Sequence, residues 1–207
     1  VHLALLETES LLRVIEKTQE DFAVKNQLDD LLFDRLKLKT KVAADSIRNI
    51  QKYAQVLLET SITDLKKDNY DLNRTVQTVI KYLSPLKKFG SITFMTELNP
   101  LPLCNFDPEQ IQHLIVHLIT NSADAKKDAT ITIRSFERDS KNFVEIQDDG
   151  PGFSEKFRKQ PSAVFNLSNG GYGLFLCKSI IEKHKGEIKI LHVDKGVLVQ
   201  FPLPVSR

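Results

Sequence analysis

The first sixty residues contain neither glycine nor proline, and their apolar residues recur at helical spacing. From residue 33 to residue 57 the apolar or small residues follow one another in alternating steps of three and four: Phe33, Leu36, Thr40, Ala43, Ile47, Ile50, Ala54 and Leu57. This repeat is typical of a helix that packs lengthwise against other helices. An earlier stretch, LALLETESLLRVIEK, has a second amphipathic pattern, with one side formed by Leu5, Leu12 and Ile15.

A polar break near residues 21–27 separates these two stretches. The pattern therefore predicts an antiparallel helical hairpin over residues 1–62. Because two helices alone cannot bury their apolar stripes well, we expect the hairpin to dimerise into a four-helix bundle. A coiled-coil spacer without chemistry is the alternative interpretation.

The pattern changes after the polar segment TDLKKDNYD, which reads as a linker. Asp71 is a suitable N-cap for a helix that Gly90 would end. Asp107 followed by Pro108 predicts another helix start, because a capping carboxylate and a first-turn proline both favour one. The sequence of this helix, PEQIQHLIVHLITNSADA, predicts a buried stripe formed by Ile111, Leu114, Ile115, Leu118 and Ile119.

Five further segments have strand character: SITFMTEL, ATITIRSF, NFVEIQDD, EIKILHV and VLVQFPL. The last two turn at DKG, and a helix from about residue 171 to His184 precedes them. The order of these elements predicts an α+β domain over residues 70–207. We expect an α/β sandwich with a mostly antiparallel sheet and helices on one face.

Composition places few restrictions on function. The chain is 41% apolar and 27% charged with a net charge of +2, which gives no support to nucleic-acid binding. Its apolar runs are far shorter than a membrane span. The two cysteines, Cys104 and Cys177, lack metal-ligand or disulfide spacing, which favours a reduced, cytoplasmic protein. The chain opens mid-pattern without an initiator Met, so we expect a fragment of a longer protein.

Three motifs of the second half carry residues suited to a nucleotide. Asn121, near the end of its helix, offers an amide oxygen, which is a hard ligand suited to Mg²⁺. Asp148 ends a strand just before Gly150 and Gly152, where the missing side chains would let a planar group lie against the chain.

The third motif is a glycine cluster, with Gly170, Gly171 and Gly173 immediately before a helix. Free N–H groups and the helix dipole would face a phosphate there. A GGYG sequence alone is more often a flexible turn, so the signal lies in the order and spacing of all three motifs.

The segments HLITNSADA, DDGPGF and GGYGLFLCKSIIEKHKGEI resemble the N, G1 and G2 boxes of the ATP-binding domain of sensor histidine kinases. That domain belongs to a superfamily shared with DNA gyrase, the MutL mismatch-repair proteins and the ninety-kilodalton heat-shock chaperones. The resemblance covers about residues 70–204, and the hairpin in front resembles the dimerisation and histidine-phosphotransfer domain. Gyrase-like and chaperone relatives lack such a hairpin, which favours the kinases.

The resemblance implies a role for each motif residue. Asp148 would accept a hydrogen bond from the exocyclic amine of adenine, which distinguishes ATP from GTP. Gly150 and Gly152 would form the wall against the base, and Asn121 would hold the Mg²⁺ that bridges the phosphates. Phosphate would be bound through backbone N–H groups at Gly171 and Gly173.

Several positions depart from the family pattern. The implied lid, residues 154–170 with Phe165 as apolar anchor, is short and poor in charge. Where these kinases usually have Asn one turn before the magnesium Asn, this chain has His117, preceded by His113. We expect His117 to line the ATP site; a zinc-binding histidine pair is the alternative. The usual third glycine of G2 is Phe175, which would either crowd the phosphates or pack under the lid.

The phosphoacceptor region departs further. His2 is the only histidine of the hairpin, and it lies about where the phosphoacceptor is expected. Leu3 follows it in place of an acidic residue, and Glu7 stands where proline is usual. His2 is therefore either the phosphoacceptor or an unimportant terminal residue.

The resemblance thus implies an ATP-dependent protein histidine kinase of a two-component system. It would bind ATP and Mg²⁺, autophosphorylate on a hairpin histidine and relay the phosphate to the aspartate of a response-regulator receiver domain. A homodimer through the hairpin and a cytoplasmic location, alone or as part of a membrane-anchored sensor, are also implied, with no nucleic acid and no membrane contact in this fragment.

The competing interpretation is a non-catalytic pseudokinase scaffold, or a histidine phosphotransferase with an altered ATP site. The atypical hairpin, Phe175 and the short lid favour it. An anti-sigma-type serine kinase shares the ATP-binding fold but has no use for a dimerising hairpin.

Overall fold

The computed structural model describes residues 13, 15, 17, 37–45, 47, 65–165, 172–191 and 193–206. The chain divides into two compact units, Val1–Glu59 and Thr60–Arg207. All described residues of the first unit are helical. Among them Ala44 is buried, Thr40 and Ile47 of the predicted stripe are half-buried, and Ala43 is exposed. The rest of the predicted hairpin, including His2, lies outside the described residues and stays a prediction.

The second unit alternates strands and helices in the order β1 (Asp68–Tyr70), α1 (Leu72–Leu83), β2 (Thr93–Leu98), β3 (Cys104–Phe106), α2 (Pro108–Ala125), β4 (Thr130–Arg138), β5 (Lys141–Asp148), α3 (Glu155–Lys159), α4 (Tyr172–Lys183), β6 (Lys189–Leu191) and β7 (Leu198–Pro204). No helix in the described part of the chain has both the length and the apolar character that crossing a membrane requires.

Helix α1 begins as the sequence predicts and ends earlier. The Asp71 side chain accepts a 3.1 Å hydrogen bond from a first-turn backbone N–H, as an N-cap should. The prediction that Gly90 ends this helix was wrong, because α1 ends at Leu83. Pro85 follows and has no N–H to continue the helical hydrogen bonds, and Gly90 instead ends a separate short 3₁₀ turn.

Helix α2 begins at the predicted cap. The Asp107 carboxylate accepts backbone N–H groups from Glu109 at 3.0 Å and Gln110 at 3.2 Å, and Pro108 occupies the first turn. The predicted stripe is confirmed, since all five of its residues are buried: Ile111, Leu114, Ile115, Leu118 and Ile119.

The main sheet has five strands in the order β2-β4-β5-β7-β6. Strands β2 and β4 are parallel, and the other neighbouring pairs are antiparallel. The sheet is therefore mixed, with the antiparallel pairing that the sequence predicted in the majority. Strands β4 and β5 contribute alternate residues to the core, which are Ile131, Ile133, Val144 and Ile146. They are buried together with the apolar residues of α1, α2 and α4. The helices therefore cover one face of the sheet.

A second, two-stranded sheet was not predicted. Strand β1 pairs antiparallel with β3, with Asp68 opposite Phe106 and Tyr70 opposite Cys104. Part of the segment that reads as a polar linker is therefore a strand, which is held against β3 directly before α2.

Candidate functional site

A cavity of about 330 Å³ lies between α2, the end of β5 and the start of α4. Four residues that the sequence predicts as site residues line it: Asn121, Asp148, Gly152 and Gly173. Its apolar walls include Ile146, Phe153, Leu174 and Val199. The fold thus brings together three motifs that are far apart in the sequence.

The Asp148 carboxylate is buried, with 7% of the residue exposed, and three donors hold it. Its Oδ1 atom accepts the backbone N–H groups of Gly150 at 2.9 Å and Val197 at 3.2 Å. Its Oδ2 atom accepts the Ser122 hydroxyl at 2.9 Å. A carboxylate offers roughly four acceptor positions. Asp148 therefore has a fixed orientation and can accept one more N–H from a ligand in the cavity.

Three glycines allow the chain to pass closely around this carboxylate. A Cβ atom on Gly150 would lie 2.9 Å from Asp148 Oδ1, which is too close. Gly152 has a φ of +75°, and a Cβ there would lie 3.1 Å from the carbonyl oxygen of Gly196. Gly196 has a φ of +78°, and its Cβ would overlap the backbone carbonyl of Asp148. Only glycine fits these positions without strain.

Sequence reasoning missed the importance of Gly196. It identified this glycine as part of the DKG turn between the last two strands, which is a sufficient reason for a glycine. The contact with Asp148 depends on the pairing of β5 with β7, and no local pattern reveals it.

The opposite end of the cavity is formed by α2 and the start of α4. A Cβ atom on Gly173 would lie 3.6 Å from His117 Nδ1 and 3.7 and 3.8 Å from the amide nitrogen and oxygen of Asn121. Asn121 is exposed and His117 half-buried. The absence of a side chain at Gly173 therefore leaves open space beside these two polar groups. His113, one turn earlier, is exposed.

Two predicted site residues, His2 and Gly171, lie outside the described residues. Phe165, the predicted lid anchor, is buried in the core, and Phe175 is half-buried on α4. In the part of the chain that is described, no group of three or more His, Cys, Asp and Glu side chains could hold a metal ion. Asn121 supplies one amide oxygen, so Mg²⁺ at this position would take its other ligands from phosphate and water.

The second carboxylate of the DDGPGF motif points elsewhere. Asp149 accepts Lys126 Nζ at 2.6 Å and the backbone N–H of Thr130 at 2.8 Å, and Lys195 Nζ lies 3.6 Å away. The hydrogen bonds from Lys126 and Thr130 lower the pKa of Asp149 from 3.8 to about 2. Asp149 therefore fastens the end of β5 to the connection between α2 and β4.

Comparisons with known proteins agree with this geometry. Residues 106–207 match the family described as histidine kinase-, DNA gyrase B- and HSP90-like ATPase. The sensor protein KdpD of Clostridium acetobutylicum is 28% identical over 153 residues, covering 69% of this chain and 17% of KdpD. The adaptive-response sensory kinase SasA of Rippkaea orientalis is 27% identical over 206 residues, covering 93% of this chain and 52% of SasA. The chain thus spans about half or less of these relatives.

Solved structures share the fold. The Acinetobacter baumannii histidine kinase AdeS is 17% identical with a TM-score of 0.62, covering 95% of this chain and 96% of that one. The histidine kinase ThkA, solved in complex with the response regulator TrrA, is 22% identical with a TM-score of 0.65. The match covers 97% of this chain and 60% of that one. The predicted α+β fold of the second half is confirmed. Residues 106–207 are therefore similar to the histidine kinase-, DNA gyrase B- and HSP90-like ATPases, and the second unit shares the fold of the catalytic domain of histidine kinases.

Proposed function

We propose that the protein is an ATP-dependent histidine kinase of a two-component system. It phosphorylates a histidine of its own N-terminal hairpin and passes the phosphoryl group to the aspartate of a response-regulator receiver domain. The observation that carries this proposal is the cavity lined jointly by Asn121, Asp148 and Gly173. The similarity to sensor kinases, one of them solved with a response regulator, supports the partner.

The Asp148 end of the cavity fits the base of ATP. An ionised carboxylate only accepts hydrogen bonds, so the remaining acceptor position on Asp148 favours an exocyclic amine over a carbonyl oxygen. The apolar side chains of Ile146, Phe153 and Val199 offer the flat faces of the base a suitable environment. Because Gly152 has no side chain, the backbone at this position can lie against the base. Adenine is therefore preferred to guanine.

The Asn121 end fits the phosphates. The first backbone N–H groups of α4 have no partner within the helix, and its dipole favours negative charge near Gly173. The Asn121 amide oxygen is a suitable ligand for Mg²⁺, and Gly171 would add a further N–H. ATP supplies the phosphoryl group and Mg²⁺ offsets its charge, so the protein acts chiefly by positioning.

The acceptor is a histidine of the hairpin, and we propose His2. One ring nitrogen forms the bond to the γ-phosphorus while the bond from that phosphorus to the bridging oxygen breaks, ADP leaves and the ring loses a proton. The hairpin, residues 1–62, holds two copies together as a dimer, and residues 70–207 supply the ATP site. We place this fragment in the cytoplasm.

A second function is a scaffold or histidine phosphotransferase that no longer transfers phosphate from ATP. The half-buried ring of Phe175 lies in the first turn of α4, where a glycine would leave more space for phosphates. The setting of His2, without an acidic neighbour, also favours this alternative.

The decisive experiment combines calorimetry with Mg·ATP and incubation with γ-labelled ATP. We expect binding by the wild type and a loss of roughly 10- to 100-fold in Asp148→Asn, because one hydrogen bond to a charged group is removed. Asp149→Asn, which changes the adjacent carboxylate outside the cavity, is the matched control and should bind normally. Label that appears on the wild type and is absent from His2→Gln supports the kinase. Either binding without label or no binding at all rejects the kinase and favours the scaffold or phosphotransferase.

A further inference from the structure

The Ser122 hydroxyl lies beside the Asp148 carboxylate inside the cavity. Ser122 is on α2, directly after Asn121, and is 6% exposed. Its Oγ atom lies 2.9 Å from Asp148 Oδ2 and 3.2 Å from the carbonyl oxygen of Leu118. Both neighbours are acceptors, and a hydroxyl has one proton that rotates to suit its partner. The hydroxyl therefore has a choice of acceptors and can turn to a third.

Together the two side chains offer an acceptor next to a donor. Asp148 Oδ2 accepts, and the Ser122 hydroxyl donates. The pairing edge of adenine has the complementary order, since its amino group donates and the neighbouring ring nitrogen N1 accepts. Guanine has a carbonyl oxygen and an N1–H at the same places and would meet the carboxylate with an acceptor. Reading a base through this edge is a general way of selecting it.

We propose that Ser122 is a specificity-determining residue that donates to N1 of adenine while Asp148 accepts from the amino group. This inference rests on the proposed function, that the cavity binds ATP. The Asp148 carboxylate can release the hydroxyl without losing its orientation, because the N–H groups of Gly150 and Val197 still hold Oδ1. The Ser122 hydroxyl can therefore donate its hydrogen bond to the ligand instead of to Asp148.

The test is a cycle of two proteins and two nucleotides, measured by calorimetry. Wild type and Ser122→Ala are each titrated with Mg·ATP and with Mg·1-deaza-ATP, in which a C–H replaces N1. We expect the wild type to bind ATP roughly 3- to 10-fold more tightly than the analogue, the usual effect of one neutral hydrogen bond. Ser122→Ala should bind the two nucleotides almost equally. The analogue 7-deaza-ATP, altered away from this edge, is the control. The ratio of its Kd to the Kd of ATP should be the same in both proteins.

The outcomes distinguish a failure of this inference from a failure of the proposed function on which it rests. If Ser122→Ala keeps the full preference for ATP over 1-deaza-ATP, the role of Ser122 is overturned while ATP binding stands. If the wild type binds neither nucleotide, the proposed function fails first and the inference falls with it. Ser122→Cys keeps the side chain nearly the same size with a much weaker donor. It should also lose the preference, which provides a second variant should Ser122→Ala fold poorly.

Discussion

The backbone N–H of Asp107 donates a 3.0 Å hydrogen bond to Nε2 of His184 and so joins the start of α2 to the end of α4. The other ring nitrogen, Nδ1, lies 2.7 Å from the carbonyl oxygen of Ile180. Since Nε2 accepts, Nδ1 must carry the proton and donate, and the ring is neutral. The two helices joined in this way carry Asn121 and Gly173, which form one end of the cavity.

We predict that this neutral ring makes stability fall in mild acid. Burial lowers the pKa of His184 from 6.5, against a smaller opposing effect of its bond to Ile180, and the nearby charges are Lys67, Asp107 and Lys183. The unfolded state therefore binds the proton more readily than the folded state. The stabilisation is fully present above pH 6.5 and is lost as the pH falls below that value toward the lower pKa of the folded state.

Urea unfolding between about pH 5 and pH 8 measures this effect. His184→Gln should remove the dependence, whereas His113→Gln, which changes an exposed histidine of α2, should retain it. An unchanged pH dependence in His184→Gln would contradict the assignment.

Gly196→Ala should be strongly destabilising. Gly196 has a positive φ, and a Cβ atom would overlap the backbone carbonyl of Asp148, which cannot move without disturbing β5. Together these costs predict a loss of about 2 to 4 kcal/mol in the free energy of unfolding. Gly90→Ala is the control, because Gly90 has a φ of −61° and its Cβ would lie 3.5 Å from the nearest atom, an ordinary contact. Chemical denaturation that gives equal losses for both variants would refute the explanation.

Gly173→Ala should separate binding from stability. The new methyl group would lie 3.6 to 3.8 Å from His117 and Asn121, which is normal contact, and alanine favours helix by up to about 1 kcal/mol over glycine. The folded protein should therefore be as stable as the wild type or slightly more so. The methyl nevertheless fills space proposed for phosphate, and we expect ATP binding to weaken by about 1 to 3 kcal/mol. Calorimetry with unfolding measurements on the same samples tests both, and undiminished binding would place the phosphates elsewhere.

The sequence predicts those elements of the fold whose signals are local. The Asp107–Pro108 pair and the five-residue stripe gave the start and the buried face of α2, and alternation gave β4 and β5. Strands β1 and β3 were missed because three residues, DNY or CNF, are too few to show a period. They become strands only by pairing with each other. The end of α1 was placed too late because Gly90 was taken as its stop, whereas the helix already ends at Leu83, just before Pro85.

The site was predictable to a similar extent. Motif residue types indicated Asn121, Asp148 and Gly173, and the fold brings them to one cavity. Two of the three groups that orient Asp148 are the Ser122 hydroxyl and the backbone N–H of Val197, which lie in α2 and directly before β7, both distant in the chain. No short-range pattern distinguishes these two residues from their neighbours. The resemblance assigned the base contact to Asp148, the first of two adjacent carboxylates, whereas only tertiary contacts show that Asp149 faces Lys126 and Thr130.

The carboxylate of Asp149 gives a further prediction, for strong acid. Its pKa is lowered from 3.8 to about 2, chiefly by the hydrogen bonds from Lys126 and Thr130, so the folded state releases this proton more readily than the unfolded state. Its contribution to stability is therefore present above pH 3.8 and is lost as the pH falls through about 2. Asp149→Asn should be less stable than the wild type at neutral pH, and the difference should shrink toward zero in that acid range. Asp128→Asn, which removes an exposed carboxylate nearby, is the control. Its free energy of unfolding at neutral pH should differ less from that of the wild type than the value for Asp149→Asn does. Urea midpoints measured across this range test the idea, and a wild-type advantage that is constant with pH would mean that Asp149 stabilises the protein by packing rather than by its charge.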